Sequence, residues 1–400
     1  MAEDGRRTKS RSPFTETDSF RSMVAVGVST LGALPLFVPA ALSQRLRADL
    51  GVTAGDLGLM FSLYFLISGL CSWPAGRFVE RVGASMGMRL GLLIATVSLA
   101  GSAGAPSAGW LAGSIAVAGL GQAIAQPAAN LYLVKGVAVH LLGTAFGLKQ
   151  SAVPMATLIA GLAVPVAAHL LGWRTLLLIA AGATCSLAIA WSRRAGVRFA
   201  KRSSWGTGTK GRRMSPRALV LVALTGGFGG ASATALATFF VDSAVAADVS
   251  EPAAGVMLAV ASSFGVLARI SLGVFADRRP QVDRMRVVGS LLALGLVGFA
   301  MLAVGGPAWS LIGVVAGYVL GWSWPGLLHL VVATHDQVSP ARATGGLQVG
   351  IALGSGVGPL LFGQLVEFAS YAWAWTAAGL AALIAAGAAL LSVRQLHGPH

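Results

Sequence analysis

Two basic residues, Arg269 and Lys149, stand inside long apolar runs. An ionised group at membrane depth is costly and marks a functional site by default. Arg269 falls in SSFGVLARISLGVFADRR, Ser262 to Arg279, and Lys149 in Gly147-Leu148-Lys149-Gln150. Arginine offers a planar fork that matches a carboxylate bidentately, and lysine adds a compact second charge. No acid stands at matching depth: Asp242 and Glu367 fall near the ends of their runs, and Asp56 at the mouth of another. Two buried cations without a counter-charge are unfavourable, so the chemistry expected here is non-covalent recognition of a small organic anion. The competing assignment has Arg269 hydrogen-bonded to helix-end carbonyls and Lys149 snorkelling to the membrane surface.

Further polar residues interrupt neighbouring apolar runs: Gln122, Gln126 and Asn130 in one, Gln150 beside Lys149, then His329 and Gln348. They are read as the rest of a binding wall, with Tyr318, Trp322 and Trp324 as lining or interfacial aromatics. His329 titrates near neutrality in water, which makes a proton the candidate co-transported ion, although a lone histidine also serves as a plain hydrogen-bonding group. The chain shows no nucleophile–base cluster, metal-ligand spacing or phosphate loop. An enzyme and a cofactor are therefore not expected. Cys71 and Cys185 lie far apart in apolar runs and read as small hydrophobes rather than a disulfide.

The elements that must position these residues follow from composition. Of 400 residues, 55% are hydrophobic and 11% charged, against about 25% charged in soluble domains. Apolar runs long enough to span a membrane lie near 22–43, 55–78, 87–105, 109–134, 142–168, 174–192, 218–242, 253–276, 287–305, 308–333, 344–368 and 372–392. Gly is abundant, at 53 residues, as expected where membrane helices approach closely. The net charge of +15 follows this topology rather than a nucleic-acid footprint. With the N-terminus cytoplasmic, the outer loops hold only Arg45, Arg47 and Arg174, while nearly all other basic residues fall inside. The polar N-terminus shows no signal-peptide pattern.

Two turns punctuate the runs at matching places: Gly76-x-x-x-Glu80-Arg81 and Gly273-x-x-x-Asp277-Arg278-Arg279. Trp110 with Trp309, Gly147 with Gly346, and Asn130 with His329 repeat at nearly the same separation, which indicates two parallel six-helix halves. In each turn glycine lets a neighbouring helix pack against a span end. The acid can pair with arginines or with a helix N-terminus across the halves. Glu80, Arg81, Asp277 and Arg278 are therefore read as gating residues, forming a cytoplasmic latch that favours the outward-open state. Arg269 lies two helical turns before Asp277, about 12 Å into a hydrocarbon core about 30 Å thick. Gly350-x-x-x-Gly354-x-x-x-Gly358-Pro359-x-x-x-Gly363 calls for close helix approach and a bend.

From these residues the chain resembles the Major Facilitator Superfamily (MFS) of secondary transporters, over roughly residues 20–395. The family loop Gly-x-x-x-Asp-Arg-x-Gly-Arg-Arg/Lys reads here Gly76-x-x-x-Glu80-Arg81-x-Gly83-Ala84-Ser85, without the distal basic pair, and the copy at Gly273 is better preserved. The resemblance implies that spans five and eight face each other, which would bring Lys149 and Arg269 to one depth. Ala268-Arg269-x-Ser271-x-Gly273 is also similar to span eight of the monocarboxylate and oxalate/formate branches, where an arginine meets the carboxylate. Gly147-Leu148-Lys149-Gln150-Ser151-x-x-Pro154 resembles the cyanate-type branch. The monocarboxylate pattern has an acid where this chain has Gly265. An exporter of drugs or metabolites by proton antiport is the alternative. Such antiporters carry an arginine where this chain has Ile115, ahead of Gly119-Leu120-Gly121, and a glycine before a proline placed like Pro154; both features are missing.

The expectation is thus an all-α integral membrane protein with 12 transmembrane helices in two pseudo-symmetric six-helix bundles. A cytoplasmic tail over 1–21 precedes an N-terminal bundle over 22–192. A basic cytoplasmic linker over 193–217 leads to a C-terminal bundle over 218–392 and a tail over 393–400. The protein is expected in the plasma (inner) membrane as a monomer with both termini cytoplasmic. Its partners are the bilayer and a small anionic substrate, carried by alternating access in symport or exchange.

Overall fold

A computed structural model describes residues 16–137, 141–193, 213–279, 281–336 and 340–397. All regular structure among them is helical. The order is α1 (Glu16–Ala41), α2 (Ser43–Leu50), α3 (Ala54–Val82), α4 (Ala84–Ala103), α5 (Ala108–Gly136), α6 (Leu142–Gln150), α7 (Ala152–His169) and α8 (Trp173–Arg193). The second half runs α9 (Pro216–Ala246), α10 (Glu251–Arg278), α11 (Arg284–Val304), α12 (Pro307–Ala316), a π-helical turn at Gly317–Gly321, α13 (Pro325–His335), α14 (Pro340–Phe368) and α15 (Tyr371–His397). They make 12 membrane-spanning segments, matching the apolar runs. An even number of crossings brings both chain ends to one face, here the terminal face; the opposite one is the far face. Residues 1–15 of the expected tail, 194–212 of the expected linker and 398–400 lie outside the described residues.

Three local departures from the run pattern matter for the site. The fifth span breaks at Ser151 into α6 and α7, and the tenth breaks into α12, the π turn and α13. Proline explains both. Pro154 has no N–H to give the Gln150 carbonyl four residues earlier, and Pro325 stands in the same relation to Gly321. The third departure is α2, a short polar helix between the first two spans. It stops at Gly51, whose left-handed backbone (φ 66) suits glycine and directs its amide to the Arg47 carbonyl. Just after it, Thr53 and Asp56 form a reciprocal capping box at the start of α3, so the carboxylate of Asp56 serves the helix end.

The two halves repeat one packing plan. The first span packs on the fifth (α1 on α7; α9 on α14), the third on the fourth (α4 on α5; α11 on α12), and the third on the sixth (α4 on α8; α11 on α15). Between halves, α3 packs on α14, α6 and α7 on α10, α6 on α13, and α1 and α2 on α9. Apolar packing differs between the faces. Towards the far face one core runs through both halves, with Phe37, Phe61, Phe239, Phe362 and Trp375 inside it. Phe362 sits 4.6 Å, centroid to centroid, from both Phe239 and Trp375. Towards the terminal face the core is split, one cluster in each half.

Candidate functional site

The site lies where α6 crosses α10. Their backbones touch: a Cβ on Gly147 would lie 2.8 Å from the Arg269 carbonyl oxygen and 3.2 Å from the Cα of Gly273. This close approach brings the Arg269 side chain, 3% exposed, to the end of α6. Its Nη1 donates to the Gln150 carbonyl, the group left open by Pro154. Nε and Nη2 donate to the carbonyl of Trp322, just past the π turn, at 3.0 and 2.6 Å. The guanidinium also lies over the Trp322 ring at 5.1 Å, and Tyr318 packs on that ring at 5.3 Å. The carbonyl that Pro325 leaves open, Gly321, is taken by the Trp324 indole at 3.0 Å. Arg269 thus ties α10 to both broken spans, and the helix-end bonding weighed above is what this conformation shows. Carbonyls solvate the guanidinium but do not neutralise it.

Lys149, 5% exposed, donates through Nζ to Gln126 Oε1 on α5 and so stays in the interior rather than reaching for a surface. One residue on, the Gln150 side-chain nitrogen is 3.2 Å from His329 Nδ1, which is 2.7 Å from the Pro325 carbonyl. Nδ1 donates to that carbonyl when it carries the ring proton and accepts from the Gln150 amide when it does not. Gln348 lies beside the same ring and is itself exposed. Asn130 stands one turn beyond Gln126, its side-chain oxygen buried and without a hydrogen-bond partner among the described residues. Six of the expected binding residues therefore fall into linked contacts, Arg269–Gln150–His329–Gln348 and Lys149–Gln126, and Asn130 adjoins them on α5.

Of the expected gate, Asp277 crosses the halves. Its carboxylate accepts from the amides of Gly143 and Thr144 at 3.1 and 2.7 Å and from the Thr144 hydroxyl at 2.6 Å. These are open donors in the first turn of α6, where a negative charge is also favoured by the helix dipole. Glu80, Arg81 and Arg278 are exposed and make no ion pair among the described residues.

Residues 23–338 match the Major Facilitator Superfamily in sequence. The chain belongs to that superfamily. The MFS chain is also similar to two crystal structures of a bacterial homologue of the human lysosomal transporter Spinster, both inward-facing, one occupied and one unoccupied. Each is 17% identical and covers 96% of this chain and 98% of its own, with TM-scores of 0.71 and 0.70. No curated protein matches in sequence. As an MFS member the protein is a membrane transporter, not an enzyme.

A second polar assembly of this MFS chain, at the far face, was not foreseen as one. Asp242 on α9, 2% exposed, accepts from Arg47 at 2.8 Å, from Gln44 and from the Tyr371 hydroxyl, with Ser43 at 3.5 Å. Arg45 pairs with Glu251 of α10 at 2.8 Å. Asp49 takes Trp173 Nε1 at 2.7 Å and Arg174 at 3.2 Å, within the N-terminal half. The helix α2 therefore links three other helices, and Arg45, Arg47 and Arg174 each have an acid. The sequence signal was there in part: three arginines and several acids share one face. Their partners, 206 and 195 residues away for Arg45 and Arg47 and 125 for Arg174, are set by the fold.

Proposed function

We propose that this MFS transporter moves a small organic anion of the carboxylate type across the plasma membrane by secondary active, alternating-access transport, as symport or exchange with a proton as the candidate coupling ion. The observation that carries the reading is the charge balance of the central cluster. Arg269 and Lys149 are both buried between the halves, and neither meets a carboxylate among the described residues. The adjoining groups, Gln126, Gln150, His329 and Gln348, can donate or accept around a bound anion. A carboxylate would replace neutral carbonyl oxygens on Arg269 with charged ones, and a charge-assisted pair is the stronger. The terminal face is placed in the cytoplasm, in keeping with far-face arginines that are few and each held by an acid. The monocarboxylate, oxalate/formate and cyanate-type branches supply the substrate classes to try first.

The test is a thermal-shift screen of the purified protein against small carboxylates, cyanate-like anions, sugars and cationic drugs, repeated on Arg269→Ala. Stabilisation by carboxylates that disappears in the variant supports the reading. A cationic drug that stabilises both proteins equally, with carboxylates inert, sinks it.

A further inference from the structure

The Gly-x-x-x-acid spacing that ends α10 at Gly273 and Asp277 occurs again near the end of α14, as Gly363-x-x-x-Glu367. The contacts repeat as well, at the opposite face. Glu367 Oε1 accepts from the amide of Gly55 at 2.7 Å, as Asp277 Oδ1 accepts from the amide of Gly143 at 3.1 Å. In both cases the acid is the next-to-last residue of a C-terminal-half helix, and the amide belongs to the second residue of an N-terminal-half helix. The glycine of each spacing also sits on the partner helix. A Cβ on Gly273 would lie 2.8 Å from the Gly143 carbonyl oxygen, and one on Gly363 would lie 2.5 Å from the carbonyl oxygen of Ala54. Even the amide donors match in kind. A Cβ on Gly55 would lie 2.8 Å from both Glu367 carboxylate oxygens, and one on Gly143 would run into Asp277, so each carboxylate needs a glycine beneath it.

We infer that Glu367 is the far-face latch of this transporter, the inverted counterpart of Asp277, so that one device closes each face and each must open in turn. This rests on the alternating-access reading and not on the identity of the substrate. The first-turn amides of a helix lack intrahelical acceptors, and a carboxylate on them is favoured by the dipole as well. Opening the far face therefore separates a charged acceptor from an open donor, as opening the terminal face does at Asp277. The ties of α2 to Asp242 and Glu251 stand alongside this latch, and the two faces differ in what backs it. The far face has a continuous apolar core behind Glu367, whereas the terminal face has two separate ones behind Asp277.

The experiment uses full-length protein in nanodiscs with Cys71→Ala and Cys185→Ala and two reporter pairs of spin labels. One pair, at Gly172 and Ala246, reads the far face; the other, at Val82 and Arg279, reads the terminal face. Glu367→Gln, and separately Gly55→Ala, should lengthen the far-face distance and leave the terminal-face distance as in the parent. Asp277→Asn should do the reverse. If Asp277→Asn opens the terminal face but neither Glu367→Gln nor Gly55→Ala moves the far face, the latch assignment is wrong and alternating access stands. If no variant moves either pair, both are wrong. Carboxylate binding by the same samples reports the anion reading independently of either outcome.

Discussion

Arg269 holds the carbonyl oxygen of Trp322 with two of its nitrogens, Nε at 3.0 Å and Nη2 at 2.6 Å. That carbonyl is available because the tenth span leaves α-helical geometry at the π turn. The guanidinium is thus occupied by the protein's own main chain, and a substrate must compete for it.

Removing that side chain leaves two buried carbonyls, Trp322 and Gln150, without their donors. A hydrogen bond to a charged group contributes about 1.5–3 kcal/mol. Arg269→Ala should therefore unfold at lower temperature even without substrate, and should lose carboxylate stabilisation and uptake. Arg269→Lys keeps the charge but not the fork, and should bind carboxylates roughly tenfold more weakly, about 1.4 kcal/mol. Normal uptake by Arg269→Ala would remove the anchor role.

Lys149→Met keeps most of the side-chain volume and removes the charge. The partner left behind, Gln126, is neutral, so folding should be little affected while anion affinity falls about tenfold. Titration of purified protein checks both. Unchanged affinity would leave Lys149 as a structural contact to α5.

Much of the fold was readable because hydrocarbon-length apolar runs have one dominant use. The burial of Arg269 and Lys149 was readable for the same reason. The partners were not. Arg269 meets Gln150 and Trp322 because Pro154 and the π turn open carbonyls there, and a helix periodicity drawn through residues 142–168 or 308–333 conceals both breaks. Proline four residues after Gln150 was the available signal. The short helix α2 escaped because its polar sequence, SQRLRADL, resembles a loop in any hydropathy profile. Its pairing of Arg47 with Asp242 belongs to tertiary structure alone.

At the far face, magnitude separates two substitutions. Arg47 is 46% exposed in its pair with Asp242, so Arg47→Ala should cost about 1 kcal/mol at most. Asp242→Ala strands several donors around a buried position, and should cost about 3 kcal/mol. Chemical or thermal unfolding of the two variants measures the difference. Equal losses would mean that the arginine, rather than the buried acid, organises the cluster.

Asp277→Asn keeps the shape of the side chain and removes the charge that faces Gly143 and Thr144. Turnover should change severalfold while the apparent affinity for substrate stays within about twofold, because the carboxylate lies outside the Arg269 cluster. Uptake rates across a substrate series resolve the two parameters. A change confined to affinity would place Asp277 in binding rather than in gating.

Packing of α14 on α9 makes a separate claim. A Cβ on Gly354 would overlap the main chain of Gly227. Gly354→Ala should therefore destabilise by about 1–3 kcal/mol, as overpacking does, whereas Gly387→Ala, where a Cβ meets nothing within 4 Å, should be nearly neutral. Thermal unfolding of the pair decides, and equal stability would contradict the close approach.

The glycine contacts between the halves have a thermodynamic consequence. Gly147 lies on Gly273, Gly161 on Gly255, and Gly58 against the Pro359 carbonyl. Parting such surfaces uncovers mainly backbone, and glycine has no side-chain rotamers to release. At the terminal face, where each half keeps its own core, little apolar area is exchanged with solvent, whereas opening the far face parts the continuous core, so the heat capacity should rise mainly on far-face opening. The balance between the two faces should then shift with temperature, cooling weakening the apolar contribution that holds the far face closed.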